Sequence, residues 1–188
     1  MFDAFDIRTT DMPSEMRILL DAYPRDRWEA HPGFKEKTRH WLDAHQMFRQ
    51  LGQITRKETE RFLDKSRAAD DFAARLSYYG DALVRNLHGH HGWEDHIYFP
   101  ELSAVDPRFD AGLEILEKDH EALDVVLESF TETANRTIKL AQLDEKQARE
   151  EAGKLHGVAE TIEAFLQRHL GDEEELAVPI ILHHRLRG

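Results

Sequence analysis

The sequence predicts an all-α protein, an up-down-up-down four-helix bundle preceded by a short lead-in. Three observations carry that prediction. Glycine and proline are scarce between about residue 34 and residue 186, few stretches there alternate with period two, and apolar residues recur at spacings of three and four along four long segments. With 188 residues, 40% of them hydrophobic, the chain has the size of one domain and enough apolar surface for a core.

Residues 1–33 read as the lead-in. Asp11-Met12-Pro13-Ser14 resembles a helix start, a short helix could follow through Leu20, and Pro24 and Pro32 punctuate what comes after. The bundle then occupies residues 34–188. A first long helix is expected from about Phe34 to Asp64 and a second from about Asp70 to Leu102, with Asp70 or Asp71 as N-cap and Pro100 near its end. Asp106-Pro107 offers an N-cap and a first-turn proline for a third helix through about Leu140. Asp144 can cap a fourth that continues to about Leu186, with Pro179 expected to kink or end it. Short connections make sequential helices antiparallel neighbours.

Composition narrows the chemistry. Lys and Arg number 25 against 37 Asp and Glu, a net charge of −12 that repels phosphate backbones and anionic membranes, so no nucleic-acid and no membrane partner is expected. No apolar run is long enough to span a bilayer, and the N-terminal residues Met1 to Asp6 lack the pattern of a signal peptide, so the expected location is cytoplasmic. The absence of cysteine excludes thiolate metal sites, iron–sulfur clusters and thiol catalysis. Any metal must therefore sit on imidazole and oxygen ligands, and the chain has 12 histidines.

Each long helix has one seam histidine where an apolar residue is expected. In the third helix His120 fills the gap in Leu113, Leu116, Leu123, Leu127 and Phe130. In the fourth, Leu155, Val158, Ile162 and Phe165 lead to His169 and Glu173 before Leu176. In the second, Leu76, Tyr79, Leu83 and Leu87 lead to His90 and Glu94, with Ile97 expected to resume the apolar line. In the first, His45 lies between Trp41 and Phe48, while His40 falls off the line. His31, His88, His91, His96, His156, His183 and His184 also fall off the seams or outside the bundle core and are expected in solvated or supporting roles, with His91 and Asp95 the ones to watch.

Residues four apart share a helix face about 6 Å apart along the axis, so His90 with Glu94, and His169 with Glu173, can converge on one ion. A lone core histidine is more often just hydrogen-bonded. Four histidines and two carboxylates facing one interior are a different matter, because each buried charge costs several kcal/mol without a partner, and a bound cation would offset that cost. The segment from His90 to Asp95 is echoed from His169 to Glu174, each with a proline about ten residues after its histidine. Each segment is preceded on the previous helix by a single seam histidine, His45 or His120, giving a pseudo-two-fold ligand set in which Glu94 and Glu173 could bridge a pair of ions.

Single histidines at His45 and His120, two His-x-x-x-Glu motifs, and the Tyr98-Phe99-Pro100 tail resemble the hemerythrin-like family of HHE cation-binding domains over roughly residues 38–184. The resemblance implies a hemerythrin-type bundle with a di-iron centre, carboxylate- and oxo-bridged, on metal ligands His45, His90, Glu94, His120, His169 and Glu173. Manganese or zinc would suit the same donors. The chain departs from the oxygen-carrying members in its third helix, where a second histidine is expected and Asp124 stands. Coordination by Asp124 would make the centre harder and favour its ferric state. The carriers place their last carboxylate five residues after the histidine, which selects Glu174, whereas helical phase and the internal repeat select Glu173.

The leading expectation is a binding or sensing protein whose partner is oxygen, peroxide or nitric oxide. The alternative is an enzyme that oxidises ferrous iron or decomposes peroxide, with Trp41, Trp93, Tyr79 or Tyr98 as neighbouring redox or shielding groups, though core packing is the commoner role of such aromatics. A third reading is a metal-free acidic interaction bundle. Ferritin-like sites use Glu-x-x-His on two helices, and only Glu117 with His120 fits that order. No phosphate loop, nucleophile elbow or zincin motif is present, and a homodimer is compatible with the sequence.

Overall fold

A computed structural model describes residues 5–186, and all regular structure among them is helical. The expectations for Met1–Ala4 and for the last two residues lie outside the described residues. The lead-in carries a 3-10 turn, Ser14–Arg17, that runs into a short helix α1, Ile18–Ala22. Then follow α2, Glu36–Leu63, and α3, Ala69–Trp93. A single π-helical turn, Glu94–Tyr98, joins α3 to α4, Phe99–Val105. The last two helices are α5, Asp110–Leu143, and α6, Glu145–His184. The four long helices pack as a ring, α2 against α3 and α6, and α5 against α3 and α6. No helix among the described residues is long and apolar enough to cross a membrane.

Several local expectations change. The N-cap position of α3 is Ala68, and Asp70 and Asp71 fall in the first turn, where their charges meet the helix dipole instead of capping it. Asp106 caps no helix, because its carboxylate is taken by Arg108 and His184, and α5 begins only after a 3-10 turn, Pro107–Phe109. Asp144 does cap α6, accepting from the backbone N–H groups of Lys146 and Gln147 at 3.0 and 3.1 Å. Pro179 does not end α6. It lies in an unbroken buried run from Leu176 to Leu182, where packing outweighs the hydrogen bond that proline forfeits. The left-handed Lys65, with φ of 67°, sits in the turn between α2 and α3.

The seams bury largely as their periodicity predicts, with Phe34 and Tyr79 only partly buried and one outright departure. Ile97 is 56% exposed, and Tyr98 is buried in its place. The π-helical turn explains the exchange, since an added residue per turn advances the helical phase and swings the next position inward.

The apolar interior forms two clusters. One contains Phe48, Leu87, Leu123 and Phe165, and the other Trp41, Tyr98, Leu116 and Leu176. Along every long helix the seam histidines lie between a member of one cluster and a member of the other, so a polar band crosses the middle of the bundle. The lead-in covers the second cluster with Met12, Met16, Leu19 and Trp28. Gly112 admits it, because a Cβ there would meet Met16 and Leu176 at 3.0 Å.

Candidate metal centre

The band is built from one or two inward residues per helix. His45 comes from α2, His90 and His91 from α3, Glu94 from the first residue of the π-helical turn, His120 from α5, and His169 and Glu173 from α6. All six residues expected from the sequence are brought together. Three overlapping groups could each hold an ion: His45, His90 and Glu94; Glu94, His120 and Glu173; and His91, His120 and His169, with ligand atoms inside each group within 4.8 Å of one another.

The spacing suits ligands around an ion. Donor atoms about 2.1 Å from a metal and at right angles to one another stand roughly 3 Å apart. His45 Nε2 and His90 Nε2 are 2.9 Å apart, and His90 Nε2 lies 3.0 Å from Glu94 Oε1. Glu173 Oε1 lies 3.1 Å from His120 Nε2 and 3.2 Å from His169 Nε2. The second oxygens point the other way, Glu173 Oε2 toward His45 Nε2 at 3.6 Å and Glu94 Oε2 toward His120 Nε2 at 3.8 Å. Each carboxylate thus has one oxygen beside the α2–α3 histidines and one beside the α5–α6 histidines.

Outer carboxylates fix the rings. His45 Nδ1 pairs with Glu174 at 3.1 Å, His120 Nδ1 with Asp95 at 2.7 Å, and His169 Nδ1 with Asp119 at 3.4 Å. A carboxylate on the far ring nitrogen holds the tautomer that presents Nε2 to the centre. Glu174 is therefore buried behind His45, where it also accepts from Arg25 and Arg49, while Glu173 faces the interior. Asp119 accepts from Arg8, which also reaches Asp172. Arg8 and Arg25 belong to the lead-in, and no periodicity in that segment signals their role.

His91 and Asp124 depart from expectation. His91, off the seam by helical phase, is only 3% exposed and stacks on His120 with ring centroids 3.9 Å apart. Adjacent helical residues point about 100° apart, and the polar band is wide enough for α3 to send His90 to one side and His91 to the other. Asp124 is outside the cluster, half exposed and 3.3 Å from His88, so the harder, Asp-coordinated centre loses its basis.

A metal fits these residues. Neither ring nitrogen of His91, nor Glu94 Oε2, Glu173 Oε2 or His169 Nε2, has a hydrogen-bond partner although all are buried. Groups of this kind are costly unless something binds them. Buried Glu58, elsewhere in the chain, also has an oxygen without a well-aligned hydrogen bond, but its charge is paired with Arg61, Arg67 and Arg75 at 2.8, 3.1 and 2.9 Å. Glu94 and Glu173 meet no Lys or Arg among the described residues.

Without metal, protons take up part of this task. Burial disfavours the charged form of His45, but hydrogen bonds to Glu174 and Glu94 and the charge of Glu173 outweigh it and raise its pKa to about 9. The same balance, with Asp95 and Glu173 as partners, raises His120 to about 10. Burial, reinforced by His120 and His169, holds His91 neutral. Both raised values exceed the unfolded value near 6.5, so their stabilisation is complete below that pH and is lost as pH rises through about 9 to 10. The metal-free protein should therefore lose up to ~1.4 kcal/mol of stability per pH unit for each of these two protons above neutrality. Urea melts from pH 6 to 10 measure this, and a flat profile would refute the protonated pairs.

Residues 36–181 match the hemerythrin family described as the hemerythrin HHE cation binding domain, a span covering most of the chain. Searches of curated proteins and of solved structures return no match. With the two His-x-x-x-Glu turns, the single histidines of α2 and α5 and the helical scaffold that joins them, the chain belongs to the hemerythrin HHE cation-binding family.

Proposed function

We propose that this protein is a non-haem di-iron protein that binds or senses oxygen, peroxide or nitric oxide. The observation supporting a pair of ions over a single one is the opposed orientation of the carboxylate oxygens, one from each of Glu94 and Glu173 on either side of the band. In this reading His45 and His90 would hold one ion and His91, His120 and His169 the other, with Glu94 and Glu173 offering oxygens to both sides. Two irons there would supply one-electron redox steps and an exchangeable position for a small ligand. The chain's own contribution is positional. Glu174, Asp95 and Asp119 aim the imidazoles, Trp41 donates its indole N–H to Glu94 Oε1 at 2.7 Å, and the apolar clusters on either side keep bulk water out.

The reading also takes residues 34–188 as an up-down-up-down bundle. Supporting this is the order in which each long helix meets the two apolar clusters: Trp41 before Phe48 in α2, Leu87 before Tyr98 along α3 and its π-helical turn, Leu116 before Leu123 in α5, and Phe165 before Leu176 in α6. Residues 1–33 are the lead-in that delivers Arg8 and Arg25 to the outer carboxylates.

Metal analysis of protein from iron-supplemented cells, with visible spectra before and after reduction, tests the proposal. About two irons per chain are expected, with a ligand-to-iron absorption band that nitric oxide perturbs and that His90→Ala with His169→Ala abolishes. Manganese or zinc in the same digest would revise the metal, and no bound metal would refute the reading. An enzyme that oxidises ferrous iron or consumes peroxide is the second reading, favoured by the indole contact to Glu94, and sustained peroxide turnover by the loaded protein would select it.

A further inference from the structure

The aromatic side chains beside the centre form a file that begins at the surface. Trp93 is 40% exposed, and its indole stacks on the Tyr98 ring with centroids 4.8 Å apart and planes 22° apart. Tyr98, buried, lies 5.5 Å from Trp41. Trp41, also buried, is 4.1 Å from the His45 ring and hydrogen-bonded to Glu94. Resting on the metal reading above, we propose that Trp93, Tyr98 and Trp41 conduct single electrons between the surface and the buried ions.

Core packing alone accounts poorly for the arrangement. The π-helical turn expels Ile97 and brings Tyr98 into the gap between two indoles, at the cost of an exposed Ile next to an exposed Trp. Trp41 directs its one polar atom at Glu94, a residue already short of partners. Electron tunnelling falls exponentially with distance, so a file of rings in near contact outcompetes one long jump through aliphatic packing. Tyr98 suits a conducting position by geometry, its ring bridging the two indoles at centroid distances of 4.8 and 5.5 Å. The step balances simply. An external one-electron reductant loses one electron, one ion of the pair gains it, and no covalent bond is made or broken; the reverse transfer uses the same file.

The chain has no cysteine, so Ile97→Cys gives a unique attachment point, one turn from Trp93, for a ruthenium polypyridyl photo-oxidant. In reduced protein with its iron content measured, a flash should draw one electron from the ions to ruthenium. Added Trp93→Leu or Tyr98→Leu should each slow that transfer on the order of tenfold, equivalent to ~1.4 kcal/mol of barrier, with iron content unchanged, and Trp41→Phe should slow it likewise per bound iron. Equal rates in all of these proteins, iron retained, would overturn the relay. In metal-free protein the flash should leave a radical on Trp41 that Trp41→Phe relocates to Trp93, and a paramagnetic-resonance spectrum indifferent to Trp41→Phe would overturn the relay even if the protein bound no metal. Failure of the metal reading is seen separately, in the metal analysis.

Discussion

Stripping the metal lowers the melting temperature by roughly 8–16 °C, the largest thermal effect expected of any treatment short of unfolding the core. A ligand that binds only the folded state at about a thousand times its dissociation constant stabilises by ~4 kcal/mol. In a chain of this length each kcal/mol moves the midpoint by roughly 2–4 °C. The reason for a large effect lies in what the ions would replace. Glu94 and Glu173 are fully buried and mutually repulsive, and burial works against both charged forms. In the metal-free state contacts with His45 and His90 hold Glu94 below its usual range against burial, and those with His169, His120 and His45 do the same for Glu173, but His91 has no hydrogen bond to offer in that exchange. Scanning calorimetry of protein before and after chelation, at pH 7 and fixed concentration, reads the difference. Coincident midpoints would mean that the band is satisfied by protons alone, and the metal would then be incidental to the fold.

Much of this centre was legible from spacing, and the reason is mechanical. Seam positions in a bundle are set by helical phase, so a polar residue at a seam must point inward wherever the helix stays regular. His45, His120, His169 and Glu173 lie on α2, α5 and α6, which run unbroken through the centre, and their inward placement follows from the apolar residues around them. The reading lost accuracy where α3 gives way to the π-helical turn. Phase extrapolated through a uniform helix selects Ile97, whereas the inserted residue selects Tyr98 and leaves Asp95 able to reach His120. The outer shell was the least legible part. Arg8 and Arg25 act from a segment without periodicity, and their partners Asp119 and Glu174 lie one position from the seam residues His120 and Glu173, so only the tertiary fold brings them together.

His91→Leu provides the sharpest test of the centre, because it should push the protein in opposite directions in its two states. With metal, loss of one of three imidazoles on the α5–α6 side should weaken the ion held there by on the order of a hundredfold or more, since perturbing even a supporting residue costs 10–100-fold. Bound metal after dialysis should then fall from about two ions per chain toward one. Without metal, the same substitution removes a buried ring with two orphaned nitrogens and fills the space with apolar atoms. An unsatisfied buried polar group costs about 1–3 kcal/mol, so the metal-free variant should be more stable than the metal-free parent by up to that amount. Asp124→Asn is the matched control. Asp124 occupies the position where the oxygen carriers have a histidine, yet it is half exposed and faces His88, so metal content and melting temperature should both stay at parental values. If Asp124→Asn strips an ion while His91→Leu retains both, the third imidazole is not His91, and α5 must rotate on binding metal to bring Asp124 inward. If His91→Leu loses one ion and gains metal-free stability, the imidazole missing from α5 has been supplied by α3, one residue from a histidine that the sequence already marked.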